Sequence, residues 1–156
     1  MKPAQISFVK EYLPAALSAG AAFNMNPLVI LAQAALESGW GMSDLAQGSR
    51  NFFGLTAYGC SNAYWHGGKT VVKTPAYSLD FRRYDSAENS FLDFARLIRN
   101  NYRRAWQVSN SPEAYAKEIA YSPYISEWNG DDRETYRHSI IQIARTIEAV
   151  IALIGG

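Results

Sequence analysis

The chain has 156 residues, a formal net charge of +1, 48% hydrophobic and 19% charged residues, and a single cysteine. That length predicts one folded domain, residues 1–156, with a core of its own. The near-neutral balance argues against a nucleic-acid binder, lone Cys60 excludes an internal disulfide, and no run reads as long and apolar enough for membrane insertion.

Residues 3–23 predict a helix, bent or divided at Pro14, with Ile6, Val9, Leu13 and Leu17 facing inward. Its apolar part, Leu13 to Phe23, follows Lys10 and Glu11 closely and is interrupted by Pro14. It therefore reads as a folded helix and not as a secretory signal. Asn26 predicts an N-cap and Pro27 the first residue of a second helix. Apolar residues surround this helix on nearly every side, so it should be buried. Glu37 stands at its end, and Gly39 and Gly41 stop it. Burial and the negative end of the helix dipole both raise a carboxyl pKa. Glu37 is thereby placed as a proton donor that keeps its proton near neutral pH, which a general acid needs.

Met42 to Ala46 predict a short helical turn, and Gly48 to Tyr58 an ordered loop. Tyr64-Trp65 and Thr70 to Thr74 flank Gly67-Gly68, a hairpin signal. Tyr77, Leu79 and Phe81 alternate as a third strand would. Asp85 or Ser86 caps a helix to about Asn101, with Phe91, Phe94, Ala95 and Ile98 inside. Ser111-Pro112 opens another helix through Ala120. Residues 121–130 form an aromatic-rich loop, and the last helix runs from about Asp132 to Leu153. Its seam is Tyr136, Ile140, Ile143, Ile147 and Ile151. The class is α+β, mostly helical.

Three segments line up: ALESGWG at residues 35–41, NFFGLTA at 51–57 and FRRYDSAENSF at 81–91. In this order they resemble the peptidoglycan β-N-acetylglucosaminidases of glycoside hydrolase family 73. The resemblance covers nearly the whole chain. It implies a lysozyme-like fold, with a helical lobe, a small β-hairpin lobe and a groove between them. It implies cleavage of the bond after N-acetylglucosamine in the wall glycan, without metal or organic cofactor. Glu37 matches the family's general acid. Asn51 matches the Asn of an Asn-x-Phe-Gly loop beside the acid, and its amide suits a sugar acetamido group or a water. Tyr121 and Tyr124 lie where the family has a Tyr-rich loop, and Tyr121 is the nearer match to a catalytic tyrosine. Trp40, Tyr58 and His66 complete the candidate glycan-binding set, and Phe53 is expected beneath the loop as a core anchor.

Glycosidases ordinarily use a second carboxylate. Many members of the family carry it in the β hairpin, but the turn here, Tyr64 to Lys69, has none. Three routes stay open. Asp80 is the base, His66 replaces it, or the substrate's own acetamido oxygen attacks, with Tyr121 stabilising the charge. The last is favoured because it requires no residue that the chain lacks. A muramidase or lytic transglycosylase of the same fold is the alternative among enzymes. A non-catalytic glycan-binding module is the alternative from another class. The expected partner is the peptidoglycan glycan strand, together with secretion machinery or an immunity protein. The expected place of action is the periplasm or cell wall, reached through a dedicated export system or by lysis.

Overall fold

The computed structural model describes residues 1–126 and 130–155, the side chain of residue 131 excepted. Helices α1 (Pro3–Phe23), α2 (Pro27–Ser38) and α3 (Asp44–Ser49) come first. Strands β1 (Lys69–Lys73) and β2 (Ser78–Arg82) follow. Helices α4 (Ala87–Asn101), α5 (Arg103–Gln107), α6 (Pro112–Ala120) and α7 (Gly130–Gly155) complete the chain. Helix α2 lies at the centre, packed by α1 and α7, while α4 packs on α1 and α6 on α7. The order agrees with the sequence expectation of a mostly helical α+β chain, to which the structure adds α5.

The centre of the fold follows from α2. Its residues Val29 to Ala35 are all buried. Asn26 Oδ1 accepts from the Leu28 N–H at 3.0 Å, while the Asn26 backbone N–H and side-chain amide donate to Ser109 at 3.1 and 2.9 Å. The start of the helix is thus tied to the loop after α5. Phe91, Phe94, Ala95 and Ile98 of α4 and Ile140, Ala144, Ile147 and Val150 of α7 close the core. The segment Asp132–Gly155 of α7 does reach the length and apolarity of a membrane span, contrary to the sequence expectation. Its apolar stripe is instead taken up by α2, α6 and α1.

Three local expectations are corrected. Helix α1 runs unbroken through Pro14. Pro14 is exposed there, so water can satisfy the carbonyl its missing N–H leaves open. Leu17 is 51% exposed, and Phe8, Ala16 and Ala19 take the inward face instead. The hairpin turns at residues 74–77, not at Gly67-Gly68. Thr74 N–H donates to the Tyr77 carbonyl at 2.7 Å, and Lys69 to Lys73 pair antiparallel with Arg82 to Ser78. Tyr64 and Trp65 form no strand, because the Asn62 side-chain oxygen accepts from both of their N–H groups at 2.8 and 3.0 Å. The alternating run expected as a third strand does form, Leu79 and Phe81 lying in β2, and Phe81 adds a single bridge to Thr56. At the start of α4 it is Ser86 that caps, accepting from the Asn89 N–H at 3.1 Å.

Candidate functional site

The turn after Glu37 shows why the helix ends there. Gly39, Trp40 and Gly41 have φ of 57°, 57° and 81°, three successive left-handed residues. Glycine makes two of them free of strain. A Cβ on Gly41 would also come within 3.2 Å of the Phe8 ring. Ser38 stitches the turn, its hydroxyl donating to the Ala34 carbonyl at 2.6 Å and accepting from the Gly41 N–H at 2.8 Å. Trp40 turns away from the groove and meets Phe8 edge-on at 5.6 Å, so it packs behind the acid.

Glu37 lines a groove of about 1160 Å³, ample for several sugar rings against the usual range of small-molecule sites. The groove is walled by Gly54 to Thr56 and Tyr58 to Asn62 on the side of the β lobe. Arg96 and Tyr102 line it from α4 and beyond, and Tyr124, Asp132 and Tyr136 from the far side. Exposed Cys60 lies on this wall. Glu37 reaches solvent through the groove, yet protein surrounds it closely. Loss of water raises its pKa above the ordinary carboxylate value, and a hydrogen bond from Tyr136 offsets part of that rise. The Tyr136 hydroxyl donates to Glu37 Oε1 at 2.7 Å and accepts from the Gln33 amide at 3.1 Å. Burial lifts the pKa of Tyr136 and Tyr124 well above that of free tyrosine, with the Glu37 charge adding to both. Both hydroxyls stay protonated across the working range of a carboxyl.

The site differs from the sequence expectation at several residues. Tyr121 is 51% exposed. It donates to Glu134 at 2.5 Å and lines a separate small pocket beside α5 and α6. Tyr124 and Tyr136 occupy the neighbourhood of Glu37 in its stead. Asn51 is 1% exposed and spends its whole side chain on backbone. Its amide donates to the Leu55 and Arg82 carbonyls at 3.0 and 2.9 Å, and its oxygen accepts from the Phe53 and Leu55 N–H groups. With its donors and acceptor engaged on backbone, it shapes the loop. Phe53 stacks on Phe94 at 3.9 Å as the anchor beneath that loop. Tyr58 lines the groove and is 72% exposed. His66 lies outside the groove walls, its Nδ1 2.6 Å from Asp85 Oδ2. This contact raises the imidazole pKa. Asp80 is exposed on β2, also outside the groove walls.

Two features of the site went unread in the sequence. Asp132, taken only as a helix start, is with Glu37 one of two carboxylates on the groove walls among the described residues. Asp93, on the buried face of α4, gathers the β lobe. It accepts from Arg82 at 2.7 Å, from the Tyr84 hydroxyl at 2.5 Å, and from Asn62 and Arg96 at 3.0 Å. Burial alone would raise its pKa; the Tyr84 hydroxyl and the Arg82 and Arg96 charges outweigh burial and hold it below the ordinary value. The Arg82 guanidinium also lies 4.2 Å over the Trp65 ring. Among the described residues, no group of three His, Cys, Asp or Glu converges as a metal site requires.

Residues 13–149 match the family model of glucosaminidases, described as mannosyl-glycoprotein endo-beta-N-acetylglucosaminidase. The chain is 30% identical over 157 residues to the peptidoglycan hydrolase FlgJ of Vibrio parahaemolyticus, covering 92% of this chain and 48% of that protein. It is 30% identical to FlgJ of Pseudomonas aeruginosa, covering 94% of this chain and 38% of that one. The chain thus spans less than half the length of these relatives. Among solved structures, the glycoside hydrolase domain of Salmonella typhimurium FlgJ superposes with a TM-score of 0.75 at 25% identity, over 99% of this chain and 94% of that domain. The fold is that of the lysozyme-like hydrolases, and the chain belongs to the glucosaminidase family of glycoside hydrolases.

Proposed function

We propose that this chain hydrolyses the glycosidic bond after N-acetylglucosamine in peptidoglycan, with Glu37 as the general acid. The observation that carries the reading is the place of Glu37. It is a carboxyl with a raised pKa at the end of a buried helix, open to a groove and held on one oxygen by Tyr136. Such a group gives its proton to the leaving oxygen as the bond to C1 breaks. The acetamido oxygen of the same sugar bonds to C1. Water then opens the resulting ring, and Glu37 recovers a proton. This route is supported by the position of Asp80 outside the groove walls. The Tyr124 hydroxyl, protonated in the same groove, suits the developing charge better than Tyr121, which lines a separate pocket. The place of Asp132 in the groove favours a second reading, in which its carboxylate activates the water. The substrate sets the place of action in the periplasm or cell wall.

The test is a digest of purified peptidoglycan, with the products reduced and read by mass spectrometry. Wild type should release reduced N-acetylglucosamine ends. Glu37→Gln should be slower by about 10²–10⁴-fold, the usual weight of a general acid. Asp132→Asn should stay near wild type on the acetamido route and lose a comparable factor if Asp132 is the base. N-acetylmuramic ends would refute the assigned bond, and full activity of Glu37→Gln would remove Glu37 from the chemistry.

A further inference from the structure

Behind Tyr136 the hydrogen bonds continue into the core. Gln33, one turn before Glu37 on α2, is fully buried, and so is Tyr115 of α6. The Tyr115 hydroxyl donates to Gln33 Oε1, the Gln33 amide donates to the Tyr136 hydroxyl, and that hydroxyl donates to Glu37 Oε1. Three helices, α6, α2 and α7, thus contribute to one directed chain ending on the acid.

The direction follows from counting protons. A tyrosine hydroxyl carries one proton, and a primary amide has donors on one side and an acceptor on the other. Among the described residues, Gln33 Oε1 is the acceptor that the Tyr115 hydroxyl has. Were the amide turned over, the Tyr115 proton would be buried without an acceptor, an arrangement folded proteins avoid. The amide is therefore fixed with its N–H toward Tyr136. The Tyr136 oxygen accepts that N–H, so its own proton has one place to go, Glu37 Oε1. An acidic proton on Oε1 would leave the Tyr136 proton facing the Gln33 N–H.

We propose that Gln33 and Tyr115 are positioning residues that fix the Tyr136 hydroxyl as a donor to Oε1 of Glu37, and so confine the acid's own proton to Oε2. The inference rests on Glu37 as the acid and adds which of its oxygens delivers. Oε2 has no hydrogen-bond partner among the described residues, and the side chain borders the groove. The leaving oxygen of the glycan thus meets a proton at one defined position, where a free carboxyl would divide it between two. The other titratable groups on this groove are Asp132 of α7, Tyr124 after α6, and Arg96 and Tyr102 on and after α4, with Tyr58, Cys60 and Arg82 on the β-lobe side. None of them is hydrogen-bonded to Glu37 among the described residues.

The experiment titrates the Glu37 carboxyl by ¹³C NMR in the substrate-free protein, its signal assigned from Glu37→Gln. The same variants are followed by the pH profile of kcat/KM on peptidoglycan. In Tyr115→Phe the amide is free to turn over, its oxygen takes the Tyr136 proton, and Glu37 loses its donor. The carboxyl midpoint should rise by about one pH unit, the scale of one hydrogen bond to a charged group. The basic limb of kcat/KM should follow it, and the rate on the plateau below that limb should fall about tenfold as part of the general-acid advantage is lost. If Tyr115→Phe does not fold, the double variant Gln33→Met/Tyr115→Phe replaces both buried partners by apolar groups of similar shape. Tyr136 is then free to accept from Oε1, which again raises the midpoint. A folded variant whose Glu37 midpoint and pH profile match wild type overturns the proposal. The NMR midpoint does not depend on turnover, so an active Glu37→Gln would remove the acid assignment without being confused with failure of the hydrogen-bond chain.

Discussion

A carboxyl whose pKa is raised on folding binds its proton more tightly in the folded chain than in the unfolded one. Glu37 is such a group, because its desolvation outweighs the hydrogen bond from Tyr136. Folding is therefore weakened as pH rises from the ordinary carboxylate range through the raised value, and stays weakened above it. Glu37→Gln has no charge to desolvate. Its melting temperature should exceed that of wild type at about pH 7, with the excess shrinking toward about pH 4. Thermal melts at the two pH values check this, and an excess that does not depend on pH would show that Glu37 carries no such penalty. The place of Glu37 at the end of a buried helix was legible in the sequence because that much is local, a buried helix behind it and two glycines after it; its donor Tyr136, on α7, was not. Asn51 was legible as important but not in its role. Its spacing to Leu55 is local, but its bond to the Arg82 carbonyl depends on where β2 returns. Tyr121 and Tyr124 could not be ranked from the chain, since the direction in which a loop presents its rings is set by the helices on either side, and Tyr136 read only as a seam residue of the last helix.

At the scale of elements, the close crossing of α1 and α2 depends on Gly20. A Cβ there would lie 2.6 Å from the Met25 carbonyl oxygen and 3.2 Å from Pro27 Cδ. Alanine gains about 1 kcal/mol over glycine inside a helix. The clash is with backbone, which cannot swing aside as a side chain can, so overpacking should prevail. Gly20→Ala should cost about 1–2 kcal/mol net, read as a lower urea midpoint; a gain in stability would show that the crossing has room to spare. The long helices were readable because their apolar spacing repeats over many turns, as in the seam of α7. The hairpin was misplaced because Gly67-Gly68 satisfies a local turn rule. Gly68 instead stands where a Cβ would meet the Arg83 carbonyl at 3.1 Å, and its own carbonyl accepts from the Trp65 indole at 2.8 Å. Close approach, not hairpin reversal, accounts for it.

At the scale of the whole molecule, the two lobes are joined through Asp93. Its carboxylate on α4 holds Arg82 and Tyr84 from the β lobe and Asn62 from the groove wall. Its pKa lies below the ordinary value, so its contribution to stability is present above about pH 4 and is lost as pH falls through the lowered value. Asp93→Asn removes the partner of buried Arg82 and should cost about 3–5 kcal/mol at neutral pH. It should also flatten the loss of stability on acidification. Denaturant melts from neutral pH downward test both, and an unchanged acid limb would assign that limb to other groups. The lobed architecture itself was legible from the motif order, and the family match agrees with it. This node was not, because a buried Asp in an amphipathic helix resembles any polar residue until the fold brings Arg82 and Tyr84 to it.

Cys60 gives the groove a chemical address. It is the chain's single thiol, it is exposed, and it borders the same groove as Glu37. A maleimide dye attached there would mark one position on the wall without competing sites. Glycan arriving in the groove would change the surroundings of that dye, so occupancy could be followed optically even in Glu37→Gln, where no bond is cut.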